Sequence, residues 1–371
     1  MSERDVKRLL ASVPVDDDAE ERAWELVRSV YAEREPTVVH RRRLSIALVA
    51  AGIAILAAAL SPPGRAVVND LRRSIGIERA TPALFRLPSA GRLLVSGPGG
   101  AWVVAADGSK RLLGAYPQAS WSPHGLYVVG AQANELATME PNGTIHWTLA
   151  RPQIRFPSWS GTHTDTRIAY LTTSRLHVVG GDGRGDVDAE GLPAAALVAP
   201  AWRPSKADVH VLAFVTTHGR VTVLNPDRGS VWWVSDGYAG PRALVWSPNG
   251  KQLVLAARNK VVVFDDRTGR ARTVRLGGVR AVAFAPDGRL ALLRGHAVLL
   301  LEGSHVRALF TAPGLLAGLA WSPDGRWLLT GLPGADQWVF LQTAGAHRVL
   351  AVSHIRAQFH GAATLDGWIG A

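Results

Sequence analysis

Residues 321–329 read Trp321-Ser322-Pro323-Asp324-Gly325-Arg326-Trp327-Leu328-Leu329, an aromatic residue followed by a compact turn and an apolar run. Three further copies keep an aromatic residue, a proline and a glycine at the same spacing. They are Trp121-Ser122-Pro123-His124-Gly125, Trp246-Ser247-Pro248-Asn249-Gly250 and Phe284-Ala285-Pro286-Asp287-Gly288. The repeated unit predicts a strand that ends on an aromatic residue and is joined by a tight turn to a second strand.

The order of the turn residues has a mechanical reason. Serine suits the first position of a type I turn, and proline at the second position already has the required φ angle. Aspartate or asparagine suits the third position and glycine the fourth. A turn of this kind joins two antiparallel strands of the same sheet, so each copy marks one sheet.

Four weaker copies extend the series along the chain. They are Phe85-Arg86-Leu87-Pro88, Trp159-Ser160-Gly161, Trp202-Arg203-Pro204-Ser205 and Phe359-His360-Gly361. From one aromatic residue to the next the spacing is 36, 38, 43, 44, 38, 37 and 38 residues. This period is typical of propeller blades built from four short strands. The predicted fold class is therefore all-β, a seven-bladed β-propeller, although six to eight blades are compatible with the same repeats.

One interval shows the expected contents of a blade. Between Trp246 and Phe284, turn residues separate three runs with strand character, 252–256, 260–265 and 272–276. A propeller also has to pair its first and last strands, since otherwise both leave exposed sheet edges. We expect the strand around Ile355 to Phe359 to pair with the blade that begins at Arg92 to Ser96.

The repeated aromatic residues are interpreted as core. An aromatic ring before each turn can bury a large flat surface between adjacent blades, which accounts for 13 Trp beside only 5 Tyr. The alternative is that some of these rings are exposed platforms for stacking sugars.

These Trp-Ser-Pro-Asp-Gly copies, followed by strands such as Arg326-Trp327-Leu328-Leu329, resemble the TolB-type, WD-repeat-like propellers of bacterial envelopes. The resemblance covers roughly residues 85–371. It implies a propeller fold and says little about function, because propellers include binding proteins, adaptors and enzymes. The Trp-Asp dipeptide of the eukaryotic repeat does not occur in the chain.

The first 80 residues predict a membrane anchor. Residues 1–43 form a polar tail with a short helix over 17–33, and residues 44–61 begin with an uncharged run rich in Ala, Leu and Ile. The 17 residues from Leu44 to Leu60 make a helix of about 25 Å, within the working range for a membrane span. A cleaved signal peptide is the alternative, but a leading region of 43 residues is too long for one.

The orientation follows from Arg41, Arg42 and Arg43, which directly precede the span. Positively charged residues favour the cytoplasmic side, so we expect a cytoplasmic N-terminus and an extracytoplasmic propeller. Residues 62–80 carry apolar positions on one helical face and predict a juxtamembrane amphipathic spacer. Residues 81–371 are assigned to the propeller.

Composition excludes several kinds of site. The chain contains no cysteine, which removes disulfides, thiolate metal sites and cysteine nucleophiles. Residues 81–371 hold 28 Lys+Arg against 18 Asp+Glu, but no basic run is interleaved with aromatic residues. Nucleic acid is therefore not an expected partner.

Few residues suggest chemistry. Asp182, Asp186 and Asp188 lie in a Gly-rich stretch and offer oxygen ligands for calcium, but their spacing does not match an EF-hand loop. His163 and Asp165 form a lone pair that lacks the third ligand of a metal site. No Gly-x-Ser-x-Gly or Walker-type sequence occurs. We expect no cofactor.

Three functions are compatible with these features. The first is a single-pass, membrane-anchored propeller that binds or scaffolds an envelope protein, peptide or glycan. The second is a transmembrane regulator with the layout of an anti-sigma factor, in which residues 17–33 bind a cytoplasmic partner and the propeller senses an external ligand. The third is an envelope hydrolase with an active site at the mouth of the central channel, which no constellation in the sequence supports.

Overall fold

The computed structural model describes the backbone of residues 77–82 and, beyond that strand, residues 86–162, 164–188, 191–204, 210–345 and 348–370. The predicted tail, membrane span and most of the predicted spacer lie outside the described residues. So do Phe85, His163 and Ser205.

The described residues form seven antiparallel sheets, each with a core of four strands. This confirms the all-β, seven-bladed propeller. Blade 1 contains β29 Thr364–Ile369, β2 Arg92–Ser96, β3 Ala101–Val104 and β4 Lys110–Gly114. Blade 2 contains β5 Gln118–Trp121, β6 Val128–Gln132, β7 Glu135–Met139 and β8 Ile145–Ala150. Blade 3 contains β9 Ile154–Gly161, β10 Thr166–Thr172, β11 Arg175–Gly180 and β12 Val187–Asp188.

The remaining four blades follow the same plan, innermost strand first. Blade 4 contains β13 Ala201–Trp202, β14 Leu212–Val215, β15 Arg220–Asn225 and β16 Ser230–Gly237, and blade 5 contains β17 Ala243–Trp246, β18 Gln252–Ala256, β19 Val261–Asp265 and β20 Ala271–Val274. Blade 6 contains β21 Val279–Phe284, β22 Leu290–Arg294, β23 Ala297–Glu302 and β24 His305–Thr311. Blade 7 contains β25 Ala317–Trp321, β26 Trp327–Leu332, β27 Gln337–Gln342 and β28 Val349–Ser353.

Blade 7 has a fifth strand on its outer edge. Strand β1, Ile77–Pro82, pairs in parallel with β28, with Ile77 opposite Val349 and Pro82 opposite Ser353. The strand begins four residues before the expected propeller boundary at residue 81. Residues near that boundary therefore cover an edge that would otherwise present unpaired backbone groups.

The repeated motif forms the turn between the first and second strand of a blade. In blade 7 the Gly325 amide donates to the Ser322 carbonyl at 2.9 Å, and the Ser322 hydroxyl accepts from the Trp327 amide at 2.9 Å. The glycine is required: in blade 2, Gly125 has φ +67°, and an added Cβ would lie 2.1 Å from the Ile369 side chain.

The ring is closed by β29, and the predicted closing strand was wrong. Residues Ile355–Phe359 form a short helix, α1, and Thr364–Ile369 pairs with Arg92–Ser96. Ile355 and Phe359 are four residues apart, which places both on one helical face, and both are buried. Phe359 stacks on Trp338 at 4.9 Å.

The aromatic residue of the closing strand is Trp368. It lies opposite Leu93, just as Trp321 lies opposite Leu328 in blade 7 and Trp246 opposite Leu253 in blade 5. The Phe359-His360-Gly361 copy therefore lies at the end of helix α1. The eighth aromatic residue of the series is Trp368, nine residues later.

The core is divided among the junctions between blades. The described residues contain seven buried apolar clusters, and each draws on two neighbouring blades. The motif residues Trp121, Trp159, Trp202, Trp246 and Trp321 are between 4% and 8% exposed. Burying an aromatic ring at each junction holds adjacent blades together.

Candidate interaction groove between blades 2 and 3

One position of the blade holds an arginine in blades 1, 3 and 6, and each of these arginines contacts the next blade. It is the residue directly before the partner of the motif aromatic residue, at the start of the second strand. We call it the bridge position. Its occupants in blades 1 to 7 are Arg92, Tyr127, Arg167, Val211, Gln252, Arg289 and Trp327.

Arginine at this position connects two blades. The Arg92 guanidinium lies 5.2 Å from the ring centroid of Trp121 in blade 2 and donates to the Gly125 carbonyl at 2.9 Å. Arg289 lies 5.0 Å from the Trp321 ring of blade 7 and donates to the Gly325 carbonyl. A cation over an indole face is attracted by the ring quadrupole, so these contacts stabilise two junctions.

Two other junctions use an arginine differently. Arg167, in blade 3, donates to Asp227 of blade 4 at 3.0 Å. Arg203, in the motif turn of blade 4, donates to the Gly250 carbonyl at 2.8 Å and to Asp266 at 2.7 Å, both in blade 5. Arginine therefore contacts the motif turn of the next blade at three junctions, whereas Arg167 borders an open cavity between blades 3 and 4.

The junction between blades 2 and 3 has Tyr127 at the bridge position. A groove of about 400 Å³ opens there, on the ring face formed by the motif turns. We call it the blade 2–3 groove. Its lining consists of Ser122, Pro123, His124, Leu126, Tyr127, Thr138, His146, Trp147, Trp159, Thr162, Thr166, Gly181 and Asp182.

Aromatic rings form the walls of this groove. Tyr127 is 37% exposed and stacks against Trp159 at 6.1 Å and 15° between the planes. His146 meets Tyr127 edge-on at 5.0 Å. Trp147 donates from its indole nitrogen to the Gly181 carbonyl at 2.9 Å, which fixes its ring beside the turn of blade 3. Leu126, 55% exposed, completes an apolar rim.

One carboxylate lines the groove and a second lies beside it. Asp182 is exposed, and its carboxylate accepts from the Arg184 amide at 3.0 Å. Among the described residues no Lys or Arg lies within ion-pair distance of it. Glu140, next to the rim, accepts from His146 at 3.1 Å and from Asn142 at 2.7 Å.

The junctions differ in whether the indole nitrogen of the motif tryptophan has a hydrogen-bond partner. Trp202, Trp246 and Trp321 each donate to a backbone carbonyl of the preceding blade, at 2.9, 3.1 and 3.0 Å. The indole nitrogens of Trp121 and Trp159 are buried and have no hydrogen-bond partner among the described residues. The wall of the groove therefore contains a donor that the fold leaves unsatisfied, which is a local cost.

The calcium candidates do not converge on one point. Asp182 caps its own turn, as described above. Asp186 pairs with Arg151 at 2.7 Å, and Asp188 pairs with Arg175. Among residues that the structure describes, no group of three His, Asp or Glu side chains is placed to hold a metal ion. These carboxylates instead border a second, open cavity of about 900 Å³ between blades 3 and 4.

A buried polar cluster in blade 3 was not predicted from the sequence. The Tyr170 hydroxyl donates to Asp186 at 2.7 Å, and the Tyr170 ring stacks on His177 at 5.0 Å. Burial raises the pKa of Tyr170, and Asp186 raises it further. Burial lowers the pKa of His177 despite the nearby carboxylates. Arg151, which follows the last strand of blade 2, and Tyr170 of blade 3 both bind Asp186, so the cluster holds blades 2 and 3 together.

Asp165 also takes part in a structural network. It pairs with Arg167, which donates to Asp227, and the buried His210 ring lies 2.6 Å from Asp227. Burial alone would raise the pKa of Asp227, but the hydrogen bonds from His210 and Arg167 outweigh it and hold the pKa below the usual value. The network connects blades 3 and 4.

A second exposed apolar surface lies on the outer strand of blade 4. Val231, Trp232 and Val234 are 47%, 42% and 48% exposed along β16. They lie on an edge strand, where backbone groups are also accessible.

Comparisons with known proteins agree with the fold. The family "WD domain, G-beta repeat" matches residues 304–341, from the outer strand of blade 6 to the third strand of blade 7. A chain in a crystal structure of the mitotic checkpoint complex is 18% identical with a TM-score of 0.52, over 68% of this chain and 91% of that one.

Another solved structure is hydrazine synthase from Kuenenia stuttgartiensis, at 16% identity and a TM-score of 0.47. The alignment covers 60% of this chain and 75% of that chain. The chain matches none of the curated proteins with which it was compared. Within its described part, no helix is long and apolar enough to cross a membrane.

Proposed function

We propose that the protein is a single-pass, membrane-anchored β-propeller that binds a partner in the cell envelope, and that the blade 2–3 groove is its binding site. The partner is a protein or peptide of the envelope. The propeller acts as a rigid scaffold and performs no chemistry.

The groove is the observation that carries this proposal. At three other junctions an arginine contacts the motif turn of the next blade, and at this one no Lys or Arg lines the open space. Partly exposed Tyr127 and Leu126 stand at its rim. Exposed aromatic and aliphatic side chains around a concave site are typical of the central contacts of protein interfaces.

The fold and the buried polar clusters support a binding role. WD-repeat propellers are typically protein-interaction modules, and the seven sheets present many loops on two rigid faces. The two polar clusters around Asp186 and Asp227 are saturated by arginine, tyrosine and histidine. Asp186 and Asp227 border the open cavity between blades 3 and 4, but both oxygens of each carboxylate are already bound by these structural partners.

The anchor rests on sequence. The uncharged run 44–60 and the preceding Arg41, Arg42 and Arg43 favour a span with a cytoplasmic tail and an extracytoplasmic propeller. The predicted helix 17–33 is then available to a cytoplasmic partner. Strand β1 would place the end of the tether on the outer edge of blade 7.

Closing the groove tests the proposal. In Tyr127→Arg, the new guanidinium occupies the position that Arg92 and Arg289 hold at their junctions. We expect this full-length variant to fold normally and to lose its envelope partner in a pull-down. The matched control is Gln252→Arg, the same change at the exposed bridge position of blade 5. Equal capture by wild type and Tyr127→Arg would contradict the proposed site.

A further inference from the structure

We infer that the blade 2–3 groove receives an arginine side chain of a partner polypeptide. This inference rests on the proposed function and specifies the chemistry of its binding site. The partner's guanidinium would provide at this junction the cation that the chain itself provides at neighbouring ones.

The ring contains internal precedents for this contact. Arg92 and Arg289 approach the indole rings of Trp121 and Trp321 to 5.2 and 5.0 Å. Each also donates to the glycine carbonyl of the adjoining motif turn. At these two junctions the space between motif turns therefore suits a planar cation with several N–H donors.

At the blade 2–3 groove the chain does not provide that cation. Its bridge residue is Tyr127, and no Lys or Arg lines the groove among the described residues. This contrasts with the 28 Lys+Arg of residues 81–371. The groove is thus an aromatic site without Lys or Arg in a basic domain.

The groove also holds an acceptor for the cation. The Asp182 carboxylate is exposed and receives only the Arg184 amide among the described residues. A guanidinium placed between the rings of Tyr127 and Trp147 can donate to this carboxylate while it lies against an aromatic face. Charge-assisted hydrogen bonds and cation–π attraction then act on one side chain.

Arginine fits these features better than lysine. Its guanidinium is planar and weakly hydrated, so it stacks on aromatic rings and forms paired hydrogen bonds with carboxylates. An ammonium group is compact and strongly hydrated, and it lacks the planar face with which a guanidinium lies flat against a ring. The partner chemistry is therefore an exposed arginine on a protein or peptide.

The test uses the full-length protein and a simple probe. N-acetyl-L-arginine amide is titrated against the protein at low ionic strength, with binding followed by ligand-observed NMR. The lysine and citrulline analogues are titrated in parallel, since citrulline keeps the shape of the side chain and lacks its charge. We expect arginine to bind at least about threefold more tightly than either analogue.

Two pairs of variants locate the site. Tyr127→Arg should weaken arginine binding by about tenfold or more, and Gln252→Arg should not. Asp182→Asn should weaken it by about two- to fivefold, the range of an exposed ion pair. The control is Asp107→Asn, because Asp107 occupies the equivalent turn of blade 1 and accepts from the Ser109 amide at 2.9 Å as Asp182 does from Arg184.

The results separate this inference from the proposed function. Arginine binding that is lost in Tyr127→Arg and reduced in Asp182→Asn supports the inference. Equal binding of arginine and citrulline, no arginine binding, or binding unaffected by both variants overturns it. If a glycan or an acidic peptide binds instead, and Tyr127→Arg abolishes that binding, the groove remains the binding site and only the partner chemistry is wrong.

Discussion

The guanidinium of Arg289 lies 5.0 Å from the ring centroid of Trp321, although the two residues belong to different blades. The same arginine donates to Thr343 at 3.0 Å and to the Gly325 carbonyl, both in blade 7. One side chain therefore connects a ring, a turn and a strand end of the neighbouring sheet.

Removing this connection should destabilise the ring. We expect Arg289→Ala to lower the free energy of unfolding by about 1–2 kcal/mol, through the lost cation–π contact and charge-assisted hydrogen bond. Thermal and denaturant unfolding measure the change.

Arg307→Ala is the control, because Arg307 pairs at 3.3 Å with Glu302 and both side chains are more than half exposed. The control should stay within about 0.5 kcal/mol of wild type. Similar losses in both variants would show that Arg289 has no special role.

The closing strand should be essential for stability. A chain truncated after Gly361 keeps helix α1 but lacks Thr364–Ile369, so it loses Trp368 and leaves one edge of β2 unpaired. Loss of a buried Trp alone costs about 3–5 kcal/mol. We expect a large fall in melting temperature, whereas truncation after Ile369 should have little effect. A protein cut after Gly361 that melts like wild type would refute closure by β29.

Asp366 should make the stability of this closure depend on pH. Burial raises its pKa to about 8, against an opposing hydrogen bond with Ser96, and one carboxylate oxygen is buried without a partner. The folded protein therefore holds a proton that the unfolded chain releases above the ordinary carboxyl pKa of about 3.9. Stability should fall as pH rises between about 4 and 8, by at most about 1.4 kcal/mol per pH unit, and level off above that range.

The matching variant is Asp366→Asn, which keeps the shape of the side chain and removes its titration. Unfolding of wild type and variant is measured at several pH values across that range. The stability of the variant relative to wild type should increase steadily with pH. Parallel pH profiles for the two proteins would mean that Asp366 does not titrate in this range.

The motif turns could be predicted from the sequence, and the closing strand could not. The motif turns were predictable because proline fixes φ at one turn position and glycine tolerates the positive φ that another requires, as at Gly125 and Gly325. The closing strand was missed because Phe359 and Gly361 imitate the motif, while the real aromatic residue, Trp368, lacks a following turn. No turn connects Trp368 to its partner strand, because that strand, Arg92–Ser96, lies at the other end of the propeller sequence.

The groove was not predictable from residue type. Tyr127 is significant because it occupies the bridge position, which holds arginine in blades 1, 3 and 6. That position is defined by the pairing of the strands, which the structure shows and the sequence alone does not. One signal was present: Leu126-Tyr127 follows the motif turn where Arg289 and Arg326 follow two other copies. Likewise, Asp182, Asp186 and Asp188 are close in sequence, but the turn directs them to different partners.

The orientation of the anchor yields a separate prediction. With the N-terminus inside, protease added to intact spheroplasts should cleave exposed propeller loops and spare residues 1–43, because Arg41, Arg42 and Arg43 favour the cytoplasmic side. Immunoblots against tags at each end distinguish the fragments, and detergent-lysed cells are the control in which both parts are cleaved. A propeller that is protected in intact spheroplasts would reverse the orientation.

Site-specific photocrosslinking in cells tests the binding site most directly. A photoreactive amino acid replaces Leu126 at the rim of the groove, or Lys251, the exposed residue that follows the motif turn of blade 5. We predict a discrete adduct with an envelope protein from position 126, its loss when Tyr127→Arg is added, and no such adduct from position 251. An adduct that forms equally from both positions, or that persists in the Tyr127→Arg background, would contradict binding in the blade 2–3 groove.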